Sequence, residues 1–227
     1  MNRYAVITEK FSRELLLLKG TGCFYKKCLF CDYDLDSCAD PFPFNSPILD
    51  MVTGECGAID IINSGSVHEL DRRTLGRIRE VASDKNIEYI WFEAHYAYHG
   101  RLDEIRCLFP DISVRFRTGI ESFDPSFRRR MKKGVPDDLS PEDVRRYFEG
   151  VCLLVGVEGQ TRESVARDIG AASRLFEYFS VNVYCPNSTG VKLDAGLVEW
   201  FIREIYPGAR ALPNCEILLG NTDLGVG

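Results

Sequence analysis

Short, continuous apolar runs alternate along this chain with longer stretches that are apolar on one side only. Leu15 to Lys19 reads as a buried strand that stops at Gly20, and Ala58 to Ile62 as a second that stops at Asn63-Ser64-Gly65-Ser66. From about Asp71 to Ser83, Leu75, Ile78, Val81 and Ala82 fall on one helical stripe. Further strands are expected over Glu88 to Ala94, Val114 to Thr118, Val151 to Val155 and Phe179 to Tyr184, with a short last one at Glu216 to Leu219. Two more helices are expected, from about Arg162 to Tyr178 and from Ala195 to Tyr206. Strand–helix alternation predicts parallel strands joined by right-handed crossovers. Six such units in a row predict an α/β fold, a partial (β/α)6 TIM-like barrel forming a single domain over 1–227. Its core is expected over about 14–206, with 207–227 as a C-terminal extension. In such folds the chemistry gathers at the C-terminal strand ends. Here the polar or glycine-rich clusters at 20, 63–66, 119–121 and 156 all follow strands.

Composition narrows this little. A chain of 227 residues suits one sizeable core. No apolar run approaches the length of a membrane span. Lys10, Arg13 and Glu14 interrupt any signal-peptide pattern, so a cytoplasmic protein is expected. Net charge is −6, which argues against a large nucleic-acid surface. The one basic run, Arg128-Arg129-Arg130-Met131-Lys132-Lys133, reads as a solvated helix end before Gly134. Asp137-Asp138 and Arg145-Arg146 likewise read as solvated faces.

Candidate chemistry starts directly after the first strand. Cys23, Cys28 and Cys31 form a C-x4-C-x2-C cluster, with Phe30 before the third cysteine. A closed zinc site uses four protein ligands. An iron–sulfur cluster held by three thiolates leaves one iron open to a small molecule. Zinc with Cys38 as fourth ligand stays open as an alternative. Of the nine cysteines, Cys107 and Cys152 sit in apolar contexts and are expected to be core thiols. Cys38, Cys56, Cys185 and Cys215 could build a second cluster.

Four features past the cysteines invite a ligand. Asn63-Ser64-Gly65-Ser66 is a small, polar strand end that lets backbone groups approach one; an ordinary turn is the alternative. On a strand, Arg115, Arg117 and, if pairing continues, Glu121 share a face, with Val114 and Phe116 facing the helices. Buried arginines there need an anionic partner, either Glu121 or a bound carboxylate or phosphate. Trp91, Glu93 and His95 also share one face, combining a stacking aromatic, a carboxylate and an imidazole. That set suits a nucleobase, whose guanine-like edge Glu93 could accept; Asn182 and Tyr184 have the same inward candidacy. Thr161, after Gly156-Val157-Glu158-Gly159-Gln160, is a plausible helix N-cap.

The cysteine run resembles the cluster loop of radical S-adenosylmethionine (SAM) enzymes, whose commonest spacing is one residue shorter. Gly119-Ile120-Glu121-Ser122 and the Asn-Ser-Gly-Ser stretch resemble strand ends of that superfamily's tRNA-modifying branches. Gly156 to Thr161 resembles its Gly-Leu-Pro-Gly-Gln-Thr motif, with Glu158 for the proline. The resemblance runs from about Glu14 to Asp194. It implies a [4Fe–4S] cluster on the three cysteines and SAM as second cofactor. It also implies an electron donor such as flavodoxin or ferredoxin as partner. Phe30 would flank the open iron, and Asn63, Ser64, Gly65 and Ser66 the methionine part of SAM. Glu121 would lie near the ribose or methionine part, and Gly156 and Val157 at the adenine. One electron from the cluster would break the C5′–S bond of SAM, and the 5′-deoxyadenosyl radical would take a substrate hydrogen.

Among compact members, the chain is similar to the queuine lyases. That similarity implies a 7-deazaguanine nucleotide as small-molecule substrate, with queuine released from queuosine 5′-phosphate. Glu93, His95 and Arg117 are then the catalytic candidates, and Trp91, Arg115, Asn182 and Tyr184 the substrate contacts. Three other readings stay open: an activase of glycyl-radical enzymes, another nucleic-acid- or base-modifying radical SAM enzyme, and a non-catalytic, zinc-stabilised nucleotide-binding module.

Overall fold

A computed structural model describes residues 2–227 and divides into two compact units, each treated by itself. Among the described residues the first comprises 2–26, 33–116 and 222–227; the second comprises 27–32 and 117–221.

In the first unit, β1 (Tyr4–Ile7) lies antiparallel to β2 (Arg13–Leu18). Leu15, Leu16 and Leu18 of β2 are fully buried. After the cysteine segment comes α1 (Phe42–Leu49), a helix not foreseen because three prolines, at 41, 43 and 47, surround or interrupt it. Its buried Asn45 accepts from Lys19 N (2.8 Å) and donates to Lys19 O (2.9 Å). The end of β2 is thereby pinned just ahead of the cysteines. β3 (Ala58–Asn63) pairs parallel with β2 and with β4 (Tyr89–Glu93). Between β3 and β4 runs α2 (Arg72–Asp84), whose N-cap Asp71 accepts from the N–H groups of Arg73 and Thr74. The predicted stripe holds in part: Ile78, Val81 and Ala82 are buried. A short α3 (Leu102–Arg106) leads to β5 (Ser113–Glu121).

β5 passes into the second unit, where α4 (Pro125–Arg130) and α5 (Pro141–Arg145) precede β6 (Gly150–Val155). Then come α6 (Arg162–Leu175), β7 (Tyr178–Val183), α7 (Ala195–Trp200), α8 (Tyr206–Arg210) and β8 (Cys215–Leu218). α6 stops three residues before the expected end. Asn214 Nδ2 donates to the carbonyls of Ser173 (3.0 Å) and Phe176 (2.8 Å) there, and the chain turns into β7. A wide π turn, Phe201–Ile205, joins α7 to α8 just ahead of Pro207, which has no N–H to continue the helical ladder.

The strands follow one another in the order β1 to β8, each beside its sequence neighbour. No strand is skipped, as in barrel-type sheets and unlike doubly wound ones. β5, β6, β7 and β8 pair in parallel. Val151, Leu153, Phe179 and Val181 are buried among them, the continuous apolar reading of parallel strands covered on both faces.

Candidate active site

In the first unit, the loop after β3 ties three strand ends together. Ser64 Oγ accepts from Gly20 N at 2.9 Å, at the end of β2. Ser66 Oγ accepts from His95 N at 2.9 Å, just past β4. Asn63 Nδ2 donates to Ser66 O (3.0 Å), while its Oδ1 is buried with no partner among the described residues. Both predicted serines therefore serve backbone groups, and Asn63 offers the acceptor.

Glu69, which sequence reasoning passed over, sits under this loop and is buried. Its Oε1 accepts from Phe24 N (3.2 Å) and from Tyr98 Oη (3.0 Å), and its Oε2 from Ser66 N. Burial pushes its carboxyl pKa up, against the pull of these donors. Burial and then the Glu69 charge take the Tyr98 phenol to about 12, so it stays a donor at neutral pH. A readable signal existed: Ser66-x-x-Glu69 is a capping box. Beside it, Cys23 N donates to Asp34 Oδ1 at 2.5 Å.

His95 follows β4 and stacks on Tyr25, ring centroids 5.2 Å apart, with Phe24 edge-on at 5.5 Å. Its Nδ1 accepts from Ala97 N at 3.2 Å, which leaves Nε2 to carry the proton in the neutral ring. Burial along β4 alternates as expected: Ile90, Phe92 and Ala94 are buried, and Trp91, Glu93 and His95 share the other parity. Arg115 is placed differently from expectation. It stacks over Tyr89 (5.1 Å) and Trp91 (6.0 Å), with Arg115 and Trp91 at the third residues of their strands, away from the C-terminal ends.

In the second unit, the 27–32 segment is held by later residues. Leu29 N donates to Met131 O (3.0 Å) and Asn187 Nδ2 to Phe30 O (2.8 Å). Asp32 Oδ2 accepts from Ser188 N and Oγ at 3.0 and 2.8 Å. Phe30 packs with Phe127, Met131, Val157 and Tyr184, with Cys28 against them. Tyr184 and Val157, both expected to meet a ligand, pack against Phe30. Tyr184 Oη is engaged by Asn187 and Val191 of its own loop, and Val157 N donates to Gln160 Oε1 at 2.9 Å. Gly156 has φ +96, and a Cβ there would meet Val198 Cγ2 at 2.5 Å. Only glycine fits that turn. Thr161 is the N-cap of α6, as expected.

The regular alternation along β5 breaks where function was expected. The register shifts between Gly119 and Glu121, and Glu121 takes a left-handed φ of +65. Such strain in a non-glycine residue persists where surrounding structure holds it. Here Lys133 Nζ donates to Glu121 Oε1 at 2.8 Å, with both side chains buried. Within this unit Glu121 thus pairs with Lys133, and Arg117 lies over the Tyr178 ring at 5.6 Å. Burial alone would lower the Lys133 ammonium's pKa; the charges of Glu121, then of Cys28 and Cys31, raise it overall. Asn182 lies one residue from the end of β7, its Oδ1 buried and without a partner among the described residues.

The expected solvated basic run is partly internal. Arg128 is buried, its guanidinium donating to the carbonyls of Pro136, Asp137 and Leu139. Lys133 is the second buried member, while Arg129 pairs at the surface with Asp137. Asp168, on α6, accepts from Ser122 Oγ at 2.5 Å, and burial raises its pKa to about 6. Cys152 is buried as expected, but Cys107 is exposed.

Among the described residues no three side chains of Cys, His, Asp or Glu are gathered as a metal-holding group. Cys23 belongs to the first unit, and Cys28 and Cys31 to the second. The donor chemistry nonetheless suits a thiolate-ligated group: three partly or fully exposed thiols in one segment, with a buried cation that responds to two of them.

Compared with solved structures, the chain matches the queuine lyase from Clostridium spiroforme bound to SAM and queuine. The TM-score is 0.95 at 36% sequence identity, over 100% of this chain and 99% of that one. The cobalamin-dependent S-adenosylmethionine radical enzyme OxsB, with aqua-cobalamin and SAM bound, matches at a TM-score of 0.45 and 13% identity. That match covers 83% of this chain and 30% of that one, and it carries no argument. No family model and no curated protein matches the sequence. The full-length match bears out the expected α/β partial-barrel class.

Proposed function

This chain belongs to the queuine lyase family of radical SAM enzymes, and from that premise we propose that it cleaves the N-glycosidic bond of queuosine 5′-phosphate to release queuine. The observation that carries the reading is the likeness to a queuine lyase along the whole chain at 36% identity.

In this reading Cys23, Cys28 and Cys31 hold a [4Fe–4S] cluster, Phe30 walls its open side, and SAM binds beside it. When bound, the cluster and SAM supply one-electron chemistry and a carbon radical able to take a substrate hydrogen; a flavodoxin or ferredoxin delivers the electron. The chain's own groups bind and orient. The buried Oδ1 of Asn63 is an acceptor suited to the ammonium of SAM, and Ser64, Gly65 and Ser66 shape the loop around it. Glu121, fixed by Lys133, accepts from the ribose or methionine part. The Gly156 turn lets backbone approach the adenine, with Val157 behind it as packing. Trp91 and Glu93 take the base, with Glu93 accepting from its guanine-like edge. His95, its proton on Nε2, donates to the substrate. Asn182 Oδ1 accepts a hydroxyl or amine. Arg117 supplies positive charge for the phosphate.

An anaerobic assay tests this directly. Reconstituted protein, SAM, a strong reductant and queuosine 5′-phosphate are combined, and mass spectrometry follows 5′-deoxyadenosine and queuine. Both products are expected. Deoxyadenosine without queuine would leave the radical chemistry and remove the lyase. In the same assay Glu93→Gln is expected to lower kcat/KM at least tenfold; unchanged base release would remove Glu93 from the pocket.

A further inference from the structure

The Glu69 carboxylate makes contacts that a cap alone does not need. It is 7% exposed and accepts three donors from three separate segments. Phe24 N belongs to the residue after Cys23, Ser66 N to the loop after β3, and Tyr98 Oη to the turn after β4. Its own carbonyl accepts from Thr21 N (2.9 Å) and Thr21 Oγ1 (3.0 Å), two residues before Cys23. Gly65 leaves room for it, since a Cβ there would run into the carboxylate. Phe24 is further held edge-on by Tyr98 at 5.0 Å.

We propose that Glu69 is a positioning residue that locks the Cys23 segment to the Asn63–Ser66 loop, so that the first thiolate and the methionine end of SAM are set by one side chain. The proposal rests on the reading that these two segments serve the cluster and SAM. A carboxylate suits the site because all three partners donate to it, and two of them, the backbone N–H groups, can do nothing else. In Glu69→Gln, Tyr98 can turn its hydroxyl to accept from the new amide. Ser66 N can keep the remaining oxygen. Phe24 N is then the donor left unpaired, beside Cys23.

The test compares reconstituted wild type, Glu69→Gln and Tyr98→Phe. SAM binding is measured by calorimetry, and the electron paramagnetic resonance spectrum of the reduced cluster is recorded with and without SAM. Glu69→Gln is expected to load iron, bind SAM roughly tenfold more weakly, and show a diminished spectral change on SAM addition. Its thermal midpoint should fall by only a few degrees. Tyr98→Phe, which keeps the Phe24 and Ser66 bonds, should weaken SAM by no more than about threefold. A lower midpoint with SAM affinity and spectrum unchanged in Glu69→Gln would make the residue purely structural and overturn the proposal. Should Glu69→Gln fail to fold, Glu69→Asp carries the test: weakened SAM binding supports the lock, and wild-type binding overturns it. Wild-type protein that shows no spectral response to SAM would overturn the reading of the site, and the lock with it.

Discussion

Lys133 Nζ and Glu121 Oε1 meet at 2.8 Å, and both residues are buried. Removing one partner of such a pair strands the other charge away from water. Lys133→Met is expected to cost about 3–5 kcal/mol in denaturant unfolding. The double variant Lys133→Met/Glu121→Gln should recover most of that loss, because no charge is then left unpaired. Equal losses in the single and double variants would mean that packing dominates, not the pair.

Asp168 gives the second unit a pH dependence of defined sign. Its folded pKa is raised to about 6, well above the usual carboxylate range, mainly by burial. The folded state therefore binds this proton more tightly than the unfolded chain. Above the folded pKa the buried charge costs its full amount. As pH falls through 6 toward 4, the native carboxyl takes up its proton first and the cost fades, by at most about 3 kcal/mol. Asp168→Asn keeps an oxygen to accept from Ser122 and should be more stable than wild type at pH 7. The difference between the two should shrink toward pH 4. Parallel stability curves would remove Asp168 as the source.

Gly156→Ala adds a methyl where Val198 Cγ2 already stands, at a φ of +96. The expected cost is about 2–4 kcal/mol. Gly190→Ala is a control, because it also has positive φ but nothing within 4 Å of the new Cβ. A smaller thermal shift in Gly190→Ala than in Gly156→Ala would separate the close contact from the backbone strain.

Replacing Cys23, Cys28 or Cys31 by Ala should abolish iron retention and the brown colour of reconstituted protein. Cys38→Ala and Cys185→Ala should keep both. Iron per chain is the measurement; loss of iron in Cys38→Ala would instead bring that thiol into the ligand set.

The parallel strands were legible because each is a continuous apolar run ending in glycine or a small polar residue. β1 was not, since Tyr4–Ile7 is short and only part-buried. The place of Asn63–Ser66 at the end of β3 could likewise be read from the sequence. Lys133 was hidden by its neighbours, because four adjacent cations look like a solvated face until a bulge brings Glu121 to one of them. Tyr184 shows what strand parity leaves open. Strand parity made it an inward ligand, but the 187–191 loop folds onto its hydroxyl and Phe30 onto its ring. Alternation gives the face of a residue, and only the loops decide whether that face is open.

Asn187 reaches back across 157 residues to hold the carbonyl of Phe30. Phe127, Met131 and Tyr184, which enclose the Phe30 ring, are also far downstream. During synthesis the thiols at 28 and 31 therefore emerge long before the residues that seat them. At 5–20 residues per second that wait is roughly 8–30 s. The 27–32 segment can settle only after β7 is complete, and air reaching the nascent chain would find those thiols without that packing.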